Sequence, residues 1–313
     1  MLSTIALDTQ VLRPGLCTGC GACQGLCPYW GSVDGRTVCF FDCERLDGRC
    51  QRFCPRMPTD LDALRKQFFS EETVFPEIGP FRGLYLTRAA DASIRAGAQH
   101  GGSMTALVEL ALQEGFIDAA VLTRSQGGLG PEGVLAVNSK EVRACSGSSF
   151  QVPPTLAVLN QALRENKFHS IGVVGTPCKT LAVYKMRANP LPENDNHAGN
   201  TGMVFGLFCG WGLDWDGLNA LAAAHANPEN VSHMDIPPSK YHSLELREDG
   251  KTVSVNLDEV TPLVRSGCRY CADMTAEFAD LSIGGARSAD GWDVDKGWNQ
   301  IIVRSEKGQK LLE

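Results

Sequence analysis

The sequence predicts an α/β protein in two parts: a small cysteine-rich module over residues 1–80, then a larger α/β domain with a mixed sheet over 81–313. Three observations predict it. Eight of the chain's thirteen cysteines fall between Cys17 and Cys54. From about residue 82 onward, short apolar runs with the character of buried strands alternate with segments whose apolar residues recur at helical spacing. Several of the later cysteines stand where a predicted strand ends, the edge at which open α/β sheets hold their ligands. With 313 residues, 43% of them hydrophobic, the chain is long enough to bury a substantial core.

Composition excludes some functions. A formal charge of −7 gives no electrostatic support to nonspecific nucleic-acid binding. No transmembrane segment is expected, because Glu109, Glu114 and Asp118 interrupt the most apolar neighbourhood well short of the ~20 residues a bilayer requires. Residues 1–10 lack the basic start and apolar core of a secretion signal, so the cysteines are expected in a reducing, cytoplasmic setting as metal-binding thiolates. Sensitivity to oxygen, and hence anaerobic function, follows.

Within the first part, Cys17, Cys20, Cys23 and Cys27 stand three, three and four residues apart, and Pro28 follows. This is the run that ligates [4Fe-4S] clusters in bacterial ferredoxins, where the fourth cysteine serves the neighbouring cluster. Gly19 and Gly21 allow the tight loop that converging sulfurs require. Cys39, Cys43, Cys50 and Cys54, followed by Pro55, form a looser second half with the front pair widened. The module is therefore read as ferredoxin-like, with two clusters. Crossed ligation assigns Cys17, Cys20, Cys23 and Cys54 to one, and Cys27, Cys39, Cys43 and Cys50 to the other. A structural zinc site is the open alternative, and a disulfide framework is disfavoured by the expected compartment.

Further along, 59–69 reads as a helix with Leu61, Leu64 and Phe68 on one face, followed by a proline-containing linker and a boundary near residue 80. A strand is expected over 82–88. Gln99-His100-Gly101-Gly102-Ser103 then leads into a helix over 104–114, and glycines at a helix start leave room for a phosphate or a flavin. Residues 116–123 read as a buried strand. Gly128-Leu129-Gly130-Pro131-Glu132-Gly133 matches the letters of a dinucleotide fingerprint but precedes a strand-like run, 134–138, where that motif needs a helix. Cys145 opens a polar loop and reads as a packed thiol, and 155–165 is a helix.

Two further strand-and-helix units follow. A strand over 170–174 turns at Gly175-Thr176-Pro177, and Cys178 opens a helix to about 187. A strand over 201–208 ends at Cys209 and leads to a helix over 214–225. Asp249-Gly250 between 242–248 and 252–257 signals a hairpin. Cys268-Arg269-Tyr270-Cys271 follows, then strands over 279–284 and 299–305 separated by a polar insert at 287–297, and a beginning helix at the end. Cys178, Cys209, Cys268 and Cys271 are thus candidates for a third [4Fe-4S] cluster, with zinc the rival.

These residues resemble a known family: the beta subunits of coenzyme F420-reducing hydrogenase and the related F420 dehydrogenases, which are flavin iron–sulfur proteins. The matching segments are Gly101-Gly102-Ser103-Met104-Thr105-Ala106 with Gly115-Phe116-Ile117-Asp118, Gly175-Thr176-Pro177-Cys178, and Phe208-Cys209. Gly267-Cys268-Arg269-Tyr270-Cys271-Ala272-Asp273 and Ala279-Asp280-Leu281-Ser282-Ile283-Gly284 complete them. Lys179 departs from the pattern, standing where many members have glutamine, and the insert around Trp292 is larger than expected.

The resemblance implies FAD bound by the larger domain, its ring near His100, Gly101, Gly102, Ser103 and Thr105, with Ser148, Ser149, Gly175, Thr176 and Pro177 approaching the cofactor. No catalytic acid or base is assigned. His100 beside the glycines is the one candidate, set against simple packing or hydrogen bonding.

The function this implies is an oxidoreductase subunit that exchanges a hydride with coenzyme F420, or NAD(P)H, at the flavin. It would pass single electrons through the clusters to a partner. The alternative is an electron-transfer adaptor with no free substrate, docked on a hydrogenase, formate dehydrogenase or heterodisulfide reductase complex. A zinc scaffold without flavin is the third reading.

Overall fold

A computed structural model of the chain describes residues 1–70, 72–125, 129–188, 196–237, 242–286 and 297–313. Helix α1 (Ser3–Leu7) runs into a wider π turn over Asp8–Leu12, and the strands β1 (Trp30–Val33) and β2 (Arg36–Cys39) form a hairpin. Helices α2 (Arg49–Phe53) and α3 (Leu61–Phe68) follow, the latter started by the Asp60 carboxylate, which accepts from the Ala63 N–H at 2.9 Å. A second small hairpin, β3 (Thr73–Phe75) and β4 (Gly79–Phe81), occupies the expected linker.

The chain then enters its large sheet through β5 (Gly83–Thr87), α4 (Ala92–Gly97), α5 (Ser103–Gln113), β6 (Ala119–Arg124), β7 (Glu132–Ala136), α6 (Ser139–Arg143) and α7 (Thr155–Glu165). It continues with β8 (Ile171–Gly175), α8 (Pro177–Ala188), β9 (Thr201–Leu207) and α9 (Trp215–His225). Next come β10 (Val231–Asp235), β11 (Ser243–Glu248), β12 (Lys251–Asn256) and α10 (Leu257–Val260). Strands β13 (Leu281–Gly285) and β14 (Asn299–Val303) and helix α11 (Glu306–Leu312) end the chain.

The seven-stranded sheet has the order β5-β14-β13-β9-β8-β6-β7. Its centre is parallel, β6 with β8, β8 with β9 and β9 with β13, while β7 and β14 run the other way, so the sheet is mixed. Because side chains alternate along a strand, its two faces bury two different sets of residues. Val121, Val173 and Val204 meet α7 and α8 through Leu156, Leu159, Ala182 and Val183. Ala120, Leu122, Val174, Met203 and Phe205 meet α5 and α11 through Leu107, Val108, Ala111 and Leu311. Helices on both faces explain the near-continuous apolar strands.

A separate three-stranded sheet, β10-β11-β12, packs its own core against α9 and α10. The Asp249-Gly250 turn has positive φ at both residues, 47° and 77°, the geometry a two-residue hairpin needs. The strand at β7 confirms that the 128–133 glycines open no helix; Gly128 itself lies outside the described residues. Residues 287–296, which include Trp292 and most of the polar insert, also lie outside them.

The first part is not an appendage. Cys20, Ala22, Phe53, Leu64 and Phe69 belong to the same core as Leu156, Ile171, Val183 and Phe278. The loop carrying the first cysteines is held by the Leu156 N–H to the Cys20 carbonyl (3.1 Å) and by Asn160 Nδ2 to the carbonyls of Ala22 and Gln24 (3.1 and 2.7 Å). Behind the β3–β4 hairpin, fully buried Arg304 donates to the carbonyls of Ile78, Pro80 (2.9 Å) and Thr275 (2.9 Å) and to Ser282 Oγ (2.6 Å). Among the described residues no helix is long and apolar enough to cross a membrane.

Candidate metal and cofactor site

All thirteen cysteines are free thiols. Apart from Cys145, the thiols lie in three groups of four that also feel one another, Cys20 with Cys178 and Cys23 with Cys50. In the first, Cys20 is raised by burial and then by Cys178, Cys54 and Cys17. Cys23 is raised by burial and then by Cys20, Cys17 and Cys54, and burial followed by Cys17 lifts Cys54 to about 11. Cys17, Cys20, Cys23 and Cys54 also line one cavity, closed on its other side by Leu7, Val11 and Ala22. The Gly19 N–H points at Cys17 Sγ at 3.4 Å.

The second set is Cys27, Cys39, Cys43 and Cys50. Burial lifts Cys50 to about 11, with Cys27 and Cys43 adding to it, and Cys39 is raised by burial, with Asp42, Asp8 and Cys27 adding. The β1–β2 hairpin explains the widened spacing. It leaves from Tyr29 and Trp30 and returns with Cys39 paired opposite Trp30, the Phe40 N–H on the Tyr29 carbonyl at 2.8 Å, so Cys39 comes back beside Cys27. The buried indole Nε1 of Trp30 finds no partner of normal geometry, yet it lies near enough to Cys50 to draw that thiol down against burial. We read it as a donor aimed at sulfur, a weak and long acceptor that the strict geometry leaves out.

Cys178, Cys209, Cys268 and Cys271 form the third set. Cys209 is lifted to about 12 by burial and then by Cys178, Cys268 and Cys271, while burial and then chiefly Cys178 raise the other two. Cys178 sits in the first turn of α8 and Cys209 just past β9, both at the carboxyl edge of the parallel strands. The Gly212 N–H points at Cys268 Sγ at 3.4 Å, as the Gly19 N–H does at Cys17. Among the described residues, no three His, Cys, Asp or Glu side chains close on a point where a single metal ion would sit. Four thiolates around an iron–sulfur cube stand farther apart, each on its own iron. Grouped thiols, with Cys20, Cys50 and Cys54 buried, Cys271 exposed and the others half-buried, some met by N–H donors, fit such a cube: the buried ones are costly to ionise alone and are relieved by binding metal.

The predicted cofactor residues lie along the same sheet edge. Gly102, with φ 75°, turns the chain into α5, whose first N–H, Ser103, is taken by Asn299 Oδ1 at 3.1 Å. The Ser103 hydroxyl pairs with Thr87 Oγ1 at 2.8 Å, and the His100 ring covers Gly285, where a Cβ would meet Nε2 at 2.8 Å. Thr105 Oγ1 reaches Ser146 Oγ at 3.4 Å, which brings the 145–149 loop to the start of α5. Ser149 bonds back to the Gln151 carbonyl (3.3 Å), and a Cβ at Gly147 would meet His233 Nδ1 at 3.7 Å. The Gly175, Thr176 and Pro177 turn leans the other way, toward the third cysteine set: Thr176 Oγ1 lies 3.4 Å from Cys178 Sγ. Cys145 is apart from all three sets, its thiol raised to about 11 by burial.

Sequence reading missed three polar residues here. Asn299 ties α5 to β13 by also donating to the Gly284 carbonyl (3.1 Å). Trp30 was hidden by its hairpin. Lys185 lies buried on α8, donating to the carbonyls of Cys54 (2.7 Å) and Met57 (3.3 Å) and to Thr59 Oγ1 (2.5 Å). A lysine among Ala182, Val183, Tyr184 and Met186 was the available signal.

Cysteine groups at the edge of a covered, mixed α/β sheet define the class of protein as an α/β protein with candidate metal sites, and comparison with known proteins gives its family. Residues 84–160 match the N-terminal, and residues 168–313 the C-terminal, description of the coenzyme F420 hydrogenase/dehydrogenase beta subunit. The coenzyme F420 hydrogenase subunit beta of Methanococcus voltae is 30% identical, over 75% of this chain and 81% of its own. A component of the F(420)H(2) dehydrogenase of Methanosarcina mazei is 26% identical, over 97% of this chain and 83% of its own. A chain of the F420-reducing [NiFe] hydrogenase complex from Methanosarcina barkeri, solved with xenon, superposes with a TM-score of 0.68 at 25% identity, covering 77% of this chain and 80% of that one. The chain belongs to the family of coenzyme F420 hydrogenase/dehydrogenase beta subunits. Its relatives are subunits of redox complexes.

Proposed function

We propose that the chain is a flavin iron–sulfur subunit that exchanges a hydride with coenzyme F420, or a similar two-electron carrier, and relays single electrons to a partner subunit. In this reading Cys17, Cys20, Cys23 and Cys54 hold one [4Fe-4S] cluster, Cys27, Cys39, Cys43 and Cys50 a second, and Cys178, Cys209, Cys268 and Cys271 a third. FAD would lie along the sheet edge at His100, Gly101, Gly102, Ser103 and Thr105, with Ser148, Ser149 and the Gly175 turn beside it. The observation that carries the reading is the single cavity lined by Cys17, Cys20, Cys23 and Cys54, the four that crossed ligation groups.

A bound flavin supplies the exchange between a hydride and single electrons, and each cluster carries one electron at a time. The chain's own part is placement. Asn299 and Thr87 fix the start of α5, so the backbone there is preorganised rather than shaped by a ligand. The Gly19 and Gly212 N–H groups stabilise negative charge on Cys17 and Cys268. The influence of Cys178 on Cys20 and of Cys50 on Cys23 supports a relay in which the first set stands between the other two.

Anaerobically purified chain tests this directly. About twelve irons per chain, a flavin absorption band, and rapid bleaching of that band by reduced F420 are expected. About eight irons would remove the third cluster. Bleaching by neither reduced F420 nor NADH would leave an electron-transfer adaptor.

A further inference from the structure

Helix α8 carries a second buried lysine, and it occupies a singular place. Lys179 follows Cys178 directly and is 4% exposed. Its stem passes over Gly175, where a Cβ would come within 2.8 Å of Lys179 Cβ, and its Nζ donates to Thr155 Oγ1 at 2.7 Å. Thr155 begins α7, and the next residue, Leu156, is the one whose N–H holds the Cys20 carbonyl. The lysine therefore reaches from a member of the third cysteine set to the loop of the first. Its partner is a neutral hydroxyl, and among the described residues no carboxylate pairs with it. A buried ammonium without a counter-charge costs several kcal/mol. The thiols of Cys178, Cys20 and Cys209, drawn from the two sets it bridges, are the groups it feels.

We propose that Lys179 is a counter-cation shared by the two iron–sulfur clusters of the first and third cysteine sets, where it raises the reduction potential of both and steadies the electron passing between them. This rests on the cluster assignment given under Proposed function. A four-thiolate cluster is an anion that becomes more negative on reduction, and its net surroundings set its potential. A positive charge held in a dry site between two such anions favours the reduced form of each, and burial keeps salt from screening it. Lys185 adds charge near the first set but is also a structural tie, bound to the Cys54 and Met57 carbonyls, so Lys179 is the cleaner probe.

The test is an anaerobic potentiometric titration, read by electron paramagnetic resonance, of the full-length chain and its Lys179→Gln, Lys179→Met and Lys179→Arg variants, with iron content and circular dichroism measured first. The expected result is a negative shift of two of the three cluster potentials in the Gln and Met variants. The second set should stay unmoved as an internal control, and Arg should restore both potentials toward wild type. Three full clusters with unshifted potentials in Gln and Met would overturn the counter-cation role while leaving the clusters standing. Wild-type chain without iron would overturn the cluster assignment and the role together. If Gln and Met lose iron from the first and third sets with the fold intact, Arg decides. Retention by Arg upholds the need for charge, and loss in Arg as well reduces Lys179 to a packing residue.

Discussion

Gly21 lies with its Cα against the backbone of Pro154: a Cβ there would stand 2.6 Å from the proline carbonyl, at a φ of +85°. The loop of the first cysteine set and the start of α7 thus touch backbone to backbone, and Gly21→Ala faces both a clash and a left-handed conformation. The conformation alone costs roughly 1–2 kcal/mol, and Gly130→Ala, at φ +67° with nothing within 4 Å, isolates that cost. Gly21→Ala should lower the thermal midpoint clearly more than Gly130→Ala and reduce bound iron. Equal midpoints for the two variants would mean the contact yields freely.

Cys39→Ser tests the irregular half of the module. If the β1–β2 hairpin returns Cys39 to serve with Cys27, iron should fall from about twelve to about eight atoms per chain, and flavin content should hold. Unchanged iron would remove Cys39 from the ligand set.

Arg304 is held uncharged less easily than its burial suggests, because Asp273 and Glu277 offset the burial that pulls it down to about 10. Arg304→Met takes the guanidinium from the Pro80 and Thr275 carbonyls and leaves the Ile78 carbonyl only Thr275 Oγ1 at 3.5 Å. At roughly 1–3 kcal/mol for a buried unsatisfied group, the loss should be on the order of 3 kcal/mol or more in urea unfolding. A change below about 1 kcal/mol would show that water replaces the guanidinium.

His233, which faces Gly147, is held below the ordinary imidazole value by burial first and then by Arg247, with Asp235 pulling the other way. The unfolded chain takes up its proton near pH 6.5, while the folded chain resists until lower pH. Stability from this residue is therefore whole above that pH and is lost as pH falls below it. The thermal midpoint should drop more between pH 7.5 and 5.5 in wild type than in His233→Gln, and parallel drops would assign the dependence elsewhere.

Much of the α/β part was legible because its signals are local. The helix 155–165 has the predicted ends, and Asp249-Gly250 turns as a hairpin because both residues tolerate positive φ. Asp34-Gly35 carries the same signal, with φ of 47° and 69°, but its strands are four residues each and mostly exposed or half-buried, too short to show alternation. That Cys17, Cys20, Cys23 and Cys54 line one cavity agrees with a grouping proposed from spacing, whereas the nearness of Cys20 to Cys178 could not be read there, since it depends on where α7 and α8 pack. Phe53, Leu64 and Phe69 announced burial but not which core they would join. Lys185 looked like any helix lysine until its three acceptors came from another part of the chain.

A redox carrier on a flexible tether delivers charge by swinging, and its rate then follows solvent friction and tether length. Here Phe53, Leu64 and Phe69 are set in the same core as Leu156 and Val183, which packs the module against the sheet domain. The gap between the first and third cysteine sets is therefore a fixed dimension of the fold. If both sets hold clusters, as proposed, electrons crossing that gap should move as fast in glycerol as in water, and what the protein leaves adjustable is the energy of each stop along the way.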